Sequence, residues 1–213
     1  MGLDKGDNVV SRLWKIPKIS PAKPDSRHQN WLDSIDRSIT SFVQVFCKKY
    51  DCPKWKESLK TSIYWYLTAA GSNSAENWTV TSQIAFELLG WTYFVNDKKA
   101  LCEDGYKSMQ AANKLRLLMS MLNIDLQVPT QLKELKLHNK KDGPETITNI
   151  RNIYVHPNKE KQQVLDQYGH GWRYEGSQLS AEYLELILLA IVGYEEKYWS
   201  RCQGNYVSVP WGR

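Results

Sequence analysis

Residues 76–95, ENWTVTSQIAFELLGWTYFV, decide how this chain folds. Val80, Ile84, Leu88 and Trp91 recur at steps of three and four, the spacing that places side chains on one face of an α-helix. The period-two alternation of a strand is missing. Ser74-Ala75-Glu76-Asn77 supplies an N-cap, because a short hydroxyl side chain accepts from the first unpaired backbone amides of a helix. The segment reads as a central helix.

The same period extends outward. Trp55 to Ala70 carries Leu59, Ile63, Tyr66, Leu67 and Ala70, with Gly71 as a C-terminal stop. Before the break at Asp51-Cys52-Pro53, residues 29–50 set Trp31, Ile35, Ile39, Phe42, Val43 and Phe46 in an amphipathic stripe. Pro17, Pro21 and Pro24 lie within eight positions, so residues 1–28 read as an extended N-terminal arm. Downstream, helices are expected from about Gly105 to Leu122, from Thr146 to His156 (Ile147, Ile150, Tyr154) and from Leu179 to Trp199 (Leu184, Leu188, Ile191, Tyr194). Residues 138–145 (HNKKDGPE) read as a polar loop, and residues 168–174 (YGHGWRY) as an aromatic, glycine-rich loop. Strand-like alternation is confined to Asn205–Val209. The expectation is an all-α fold: an arm, 1–28, then a single domain, 29–213, built as a bundle of five or six helices.

Composition excludes the non-globular classes. A chain of 213 residues with 42% hydrophobic and 24% charged residues can build a core, and it has no repeat or dominant residue type. Nine Trp and twelve Tyr leave rings for surfaces as well as the interior. The net charge of +5 is concentrated at one end: residues 1–60 hold 12 basic and 7 acidic side chains, whereas 61–130 hold 5 and 6, and 131–213 hold 11 and 10. That bias permits contact with nucleic acid. Cys47, Cys52, Cys102 and Cys202 match neither a zinc knuckle nor a disulfide framework, and with four His they show no metal-ligand spacing, so no metal or cofactor is expected. MGLDKGDN at the start has no apolar h-region, and Gly6 stands where myristoylation wants Ser or Thr. The apolar run Leu184 to Tyr194 is too short for a bilayer. A cytoplasmic protein without membrane association is expected.

The residues with most chemical potential are Arg151-Asn152-Ile153-Tyr154-Val155-His156. A guanidinium offers a permanent forked charge for a phosphate, and an imidazole exchanges protons near neutral pH, which together suit phosphodiester cleavage without a metal. Asn152 and His156, four apart, share a helix face, but Arg151 and His156 are about 140° apart on an ideal helix. They can serve one site only if the helix ends or bends there, and Pro157 offers an end. An Arg and a His at a helix terminus also serve simply to satisfy its carbonyls.

The segment RNIYVH resembles the Arg-Asn-x3-His form of the RX4-6H signature of HEPN domains, all-α modules of toxin, abortive-infection and CRISPR-associated ribonucleases. IAFELLGW (84–91) and AANKLRLLMSMLNI (111–124) are similar to the acidic-residue helix and following helix of the ApeA-like, phage-defence HEPN group. The similarity covers about Leu59 to Trp199. It implies a metal-independent endoribonuclease acting as a homodimer, with two motifs lining one cleft. It implies also that Arg151 binds the scissile phosphate, that His156 transfers protons during attack by the 2′-hydroxyl, and that Asn152 orients the motif. Glu87 would be a polar neighbour from the central helix, or a structural partner for Arg151. In HEPN toxins silenced by adenylylation a Tyr stands at the position of Asn158, which makes that regulation inapplicable; control would fall to the arm or to a regulatory protein partner.

Lys114 and Arg116 are candidate RNA-backbone contacts, against the simpler role of solvating a helix. His170 and its aromatic neighbours could stack on bases, or pack as an ordinary loop. The functional expectation is RNA cleavage by a defence or toxin effector. The alternative is a catalytically silent HEPN-type module binding RNA, a nucleotide or a protein. A third reading is a helical interaction protein with no nucleic-acid role.

Overall fold

In a computed structural model of the chain, the described residues are 29–212 without 73, 139–140 and 157–158, and the side chains of 29–37, 161–162 and 165–166 are not described. The expected arm, Pro157 and Asn158 lie outside them. The chain divides into Met1–Asp36 and Arg37–Arg213. Of the first unit only the backbone that begins the first helix is described. The second unit carries the packed fold.

The fold is all-α. Its elements are α1 (Gln29–Tyr50), α2 (Pro53–Ser72), α3 (Ala75–Trp91), a π-helical segment (Thr92–Asp97), α4 (Glu103–Ser108), α5 (Ala111–Met121), α6 (Lys133–His138), α7 (Gly143–Val155), α8 (Lys159–Val192), and a small hairpin of β1 (Lys197–Ser200) and β2 (Asn205–Ser208). Eight α-helices among the described residues exceed the five or six expected. A divided helix and an added short one account for the excess over six. The expected 105–122 helix is two, because Met109 and Gln110 adopt extended backbone between α4 and α5. α6 forms where no helix was expected. The 168–174 segment is not a loop: it lies inside α8, interrupted at Gly169, whose φ of 71° suits a residue without Cβ. Trp172 there is buried, and Tyr168 stacks on His138 at 4.3 Å.

α3 is the central element, packed against α2, α5, α7 and α8. Ser74 caps it as expected, its hydroxyl accepting from the Asn77 amide at 3.2 Å. The buried face differs from the expected one. Ser82, Ala85, Phe86, Leu89 and Gly90 are buried, while Ile84 is 42% exposed and Val80, Leu88 and Trp91 are half-buried. Small residues on the inner faces allow close helix approach, so Ser62 and Ala69 of α2 are fully buried alongside Leu59. Leu67, expected on the core stripe of α2, is 52% exposed. In α1 the stripe divides: Phe42 and Phe46 pack on the core, whereas Ile39 and Val43 face out, and the side chains of Trp31 and Ile35 are outside the described set.

The core proper contains Trp55, Leu59, Leu89, Leu115, Leu118, Met119, Leu135, Ile147, Ile150, Leu179, Leu184 and Ile187. α8 stops at Gly193, where φ is 80°, well before the expected Trp199. The chain then forms the hairpin, Trp199 opposite Tyr206 and Tyr198 opposite Val207. Two carboxylates of α8 hold this hairpin. Glu182 accepts from the Tyr198 hydroxyl at 2.8 Å and the Arg201 amide at 2.6 Å, and Glu185 accepts from the Tyr66 hydroxyl and Arg201 Nε, both at 2.7 Å.

Candidate functional site

The Arg151–His156 motif occupies the end of α7. That helix starts sharply: Asp142 is its N-cap, accepting from the Glu145 amide at 3.0 Å, with Gly143 and Pro144 in the first turn. Ile147 and Ile150 then anchor one face in the core. Asn149, Val155 and His156 lie on the exposed side, with Arg151 and Asn152 half-buried between.

The helix ends at Val155, and His156 is its C-cap with φ −125° and ψ 67°. This matters for the 140° problem, because a residue that has left helical geometry no longer projects its side chain where an ideal wheel would. Asn152 links the two ends of the motif. Its Oδ1 accepts from Arg151 Nη1 at 3.0 Å, and its backbone carbonyl accepts from the His156 amide at 3.1 Å. The guanidinium is thus held on the Asn152 side chain. Arg151 Nε, by contrast, is closed to solvent and has no hydrogen-bond partner among the described residues.

Tyr154, inside the motif, is a neighbour whose spacing in the sequence marks it only as a core position. Its hydroxyl is buried without a hydrogen-bond partner. Burial, reinforced by the charge of Glu76 and opposed by that of Arg173, pushes this phenol up to about 12. Tyr154 therefore stays protonated at neutral pH.

The other site candidates are not gathered around Arg151. Glu87 receives Lys114 Nζ at 3.5 Å and Gln83 Nε2 at 3.4 Å, so among the described residues its ion pair is with Lys114. Lys114 is only 12% exposed and lies over the Tyr106 ring. Arg116 holds Asp142 through Nε at 2.6 Å and Nη2 at 3.0 Å, reaches Glu145 at 3.7 Å, and donates to Asn113. Both cations expected to meet RNA are engaged within the fold. His170 is exposed on α8. Among the described residues no group of His, Cys, Asp and Glu has the arrangement of a metal site, and the four cysteines are free. No described helix is long and apolar enough to cross a membrane.

The described residues form an all-α domain in which Arg151, Asn152 and His156 stand at one helix end. Residues 52–210 match the model of the YopA C-terminal domain family, and the chain belongs to that family. It is 37% identical over 176 residues to the SPbeta prophage-derived uncharacterized protein YopA of Bacillus subtilis (strain 168), an alignment covering 80% of this chain and 39% of the relative. The chain thus spans about two fifths of that relative's length. No solved structure matches the chain.

Proposed function

We propose that this domain is a HEPN-like, metal-independent endoribonuclease whose site is built on Arg151, Asn152 and His156. The observation that carries the reading is the helix end at His156, which frees its side chain from the ideal wheel position, together with the hydrogen bond that holds the Arg151 guanidinium on Asn152. His156 takes the proton of a 2′-hydroxyl, the freed oxygen attacks the adjacent phosphorus, and the bond from phosphorus to the 5′-oxygen breaks as that oxygen takes a proton from the protonated imidazole of the second motif in the cleft. A 2′,3′-cyclic phosphate and a 5′-hydroxyl result. Arg151 stabilises the charge gathering on the phosphate oxygens. The nucleophile belongs to the RNA, which is why an Arg and a His suffice.

In this reading two chains bring their α7 ends together, giving one cleft with two motifs. Glu87 acts as the structural partner of Lys114 and not as a catalytic group. The prophage origin of the relative suits a defence or toxin effector acting in the cytoplasm. The test is incubation of structured RNA with the protein in EDTA, wild type beside His156→Ala and Arg151→Ala. Loss of a proton-transfer group should slow cleavage by about 10²–10⁴-fold while leaving the fold intact. Equal cleavage by His156→Ala overturns the assignment. Tight RNA binding by the wild type without cleavage favours the silent binding module.

A further inference from the structure

We propose that the corner where α1, α2 and the π-helical segment meet is a docking surface for the sugar-phosphate backbone of RNA, separate from the Arg151–His156 motif. RNA as the polyanion rests on the proposed nuclease activity; the surface itself rests on its lysines.

Lys48, Lys49, Lys54, Lys56, Lys98 and Lys99 stand here against Asp51 and Asp97, six cations to two anions within residues 48–56 and 97–99. All but Lys49 are exposed. Asp97 draws the segments together, lying 4.0 Å from Lys49 Nζ and 3.8 Å from Lys54 Nζ. Three lysines are held over aromatic faces: Lys49 lies 4.5 Å from the Trp55 ring, Lys56 5.6 Å from Tyr50 and Lys98 5.7 Å from Tyr93. Cation–π contacts of this kind fix ammonium groups that would otherwise sweep a wide volume. The next acid along α2, Glu57, is paired to Lys60.

The chemistry points to phosphates read without sequence. Trp55 is buried and Tyr50 and Tyr93 are half-buried, so bases find no open ring on which to stack. A cluster of ammonium groups, three of them held over rings, suits the phosphate charges of a nucleic-acid strand. A bilayer is less well served, because none of the large exposed hydrophobic side chains belongs to the corner and nothing there can enter the acyl region. Four of the twelve basic residues of 1–60 belong to this corner.

The corner and the motif lie toward opposite ends of α3. Tyr154 feels Glu76 in the first turn of α3, while the π-helical segment continues from its last residue. The 17 residues of α3 span about 25 Å at about 1.5 Å each.

The test reads binding in a His156→Ala background, so that cleavage cannot confuse it. Fluorescence anisotropy with a labelled single-stranded RNA of mixed sequence is followed over a salt series for Lys54→Glu/Lys56→Glu/Lys98→Glu. A control carries the same charge change elsewhere, at the exposed Lys133, Lys136 and Lys197. The corner variant should bind about tenfold or more weakly, and the slope of log K against log salt should fall by about 2, at about 0.7 per lost contact. The control should change far less. Gln at the same three corner positions should act in the same direction with a smaller effect and preserves folding should the Glu triple unfold. Equal weakening by corner and control variants overturns the proposal, as does RNA binding without salt dependence. So does corner-dependent binding of phosphatidylglycerol vesicles by a protein that ignores RNA. Absence of cleavage by the wild type would defeat the nuclease reading and leave this binding result standing.

Discussion

Arg116 of α5 grips Asp142, the residue that caps the helix carrying the candidate motif. Nε lies 2.6 Å from Oδ2 while Oδ1 accepts from the Glu145 amide, so one carboxylate joins two elements. Burial opposes the charge on Asp142, but the hydrogen bonds from Arg116 and the Glu145 amide outweigh it and hold this carboxyl below its ordinary range. Stability from a lowered carboxylate is present above the unfolded value, about 3.9, and is lost as pH falls through the folded one. Arg116→Gln should therefore cost about 1–2 kcal/mol at pH 7, with the difference from wild type shrinking below about pH 4. Chemical denaturation at both pH values measures it.

Arg201 and Glu185 give the opposite pH signature. Burial dominates and raises the Glu185 carboxyl, although Arg201 and the Tyr66 hydroxyl pull it down. A raised carboxyl binds its proton more tightly when folded, so its ionisation weakens the fold as pH rises through the folded value. Arg201→Met leaves Glu185 without its cation, and should destabilise by about 2 kcal/mol or more at pH 7 and by less at about pH 4.5, where Glu185 can protonate. Thermal unfolding at the two pH values reads the difference.

Much of the fold was legible because helical periodicity and caps are local. Ser74 was found as a cap, and the termination of α7 at His156 follows from the chain turning out of helix ahead of Pro157. The inner face of α3 was not legible, because its buried positions are Ser82, Ala85 and Gly90, whose value lies in how closely α2 and α8 approach. Asp142-Gly143-Pro144-Glu145 looked like a solvated loop, although an Asp followed three residues later by Glu, with Pro in the first turn, is a helix-start signal. At the site, the motif could be picked out, but the commitments of Lys114 to Glu87 and of Arg116 to Asp142 depend on partners 27 and 26 residues away in sequence. The lysine corner was visible only as a charge imbalance, since Asp97 and the aromatic rings assemble it in three dimensions.

Gly143→Ala should be costly, since a Cβ there meets the ring and hydroxyl of buried Tyr183. A loss of about 1–3 kcal/mol is expected, as for other overpacked positions. Gly71→Ala meets nothing within 4 Å and should be neutral or stabilising by up to about 1 kcal/mol. Denaturant midpoints of the pair separate local packing from a general intolerance of substitution.

Thiol reactivity should split three ways. Cys47 and Cys102 are exposed and should react with a disulfide reagent at once, half-buried Cys52 more slowly. Burial, with the charges of Glu182 and Glu185, pushes the Cys202 thiol up to about 12, so it should react only when the hairpin opens or the protein unfolds. A Cys202 that reacts as fast as Cys47 in the native protein would contradict the packing of β1 against α8.

The decisive measurement for the proposed nuclease is the chemistry of the RNA ends produced in EDTA. A substrate with a single preferred cleavage position is compared with the same strand carrying a 2′-deoxy nucleotide there. Wild-type protein should leave a 2′,3′-cyclic phosphate and a 5′-hydroxyl on the all-ribose strand, and make no cut at the deoxy position. Cleavage that persists at the deoxy nucleotide, or that leaves a 5′-phosphate, would contradict a site in which His156 activates the neighbouring 2′-hydroxyl.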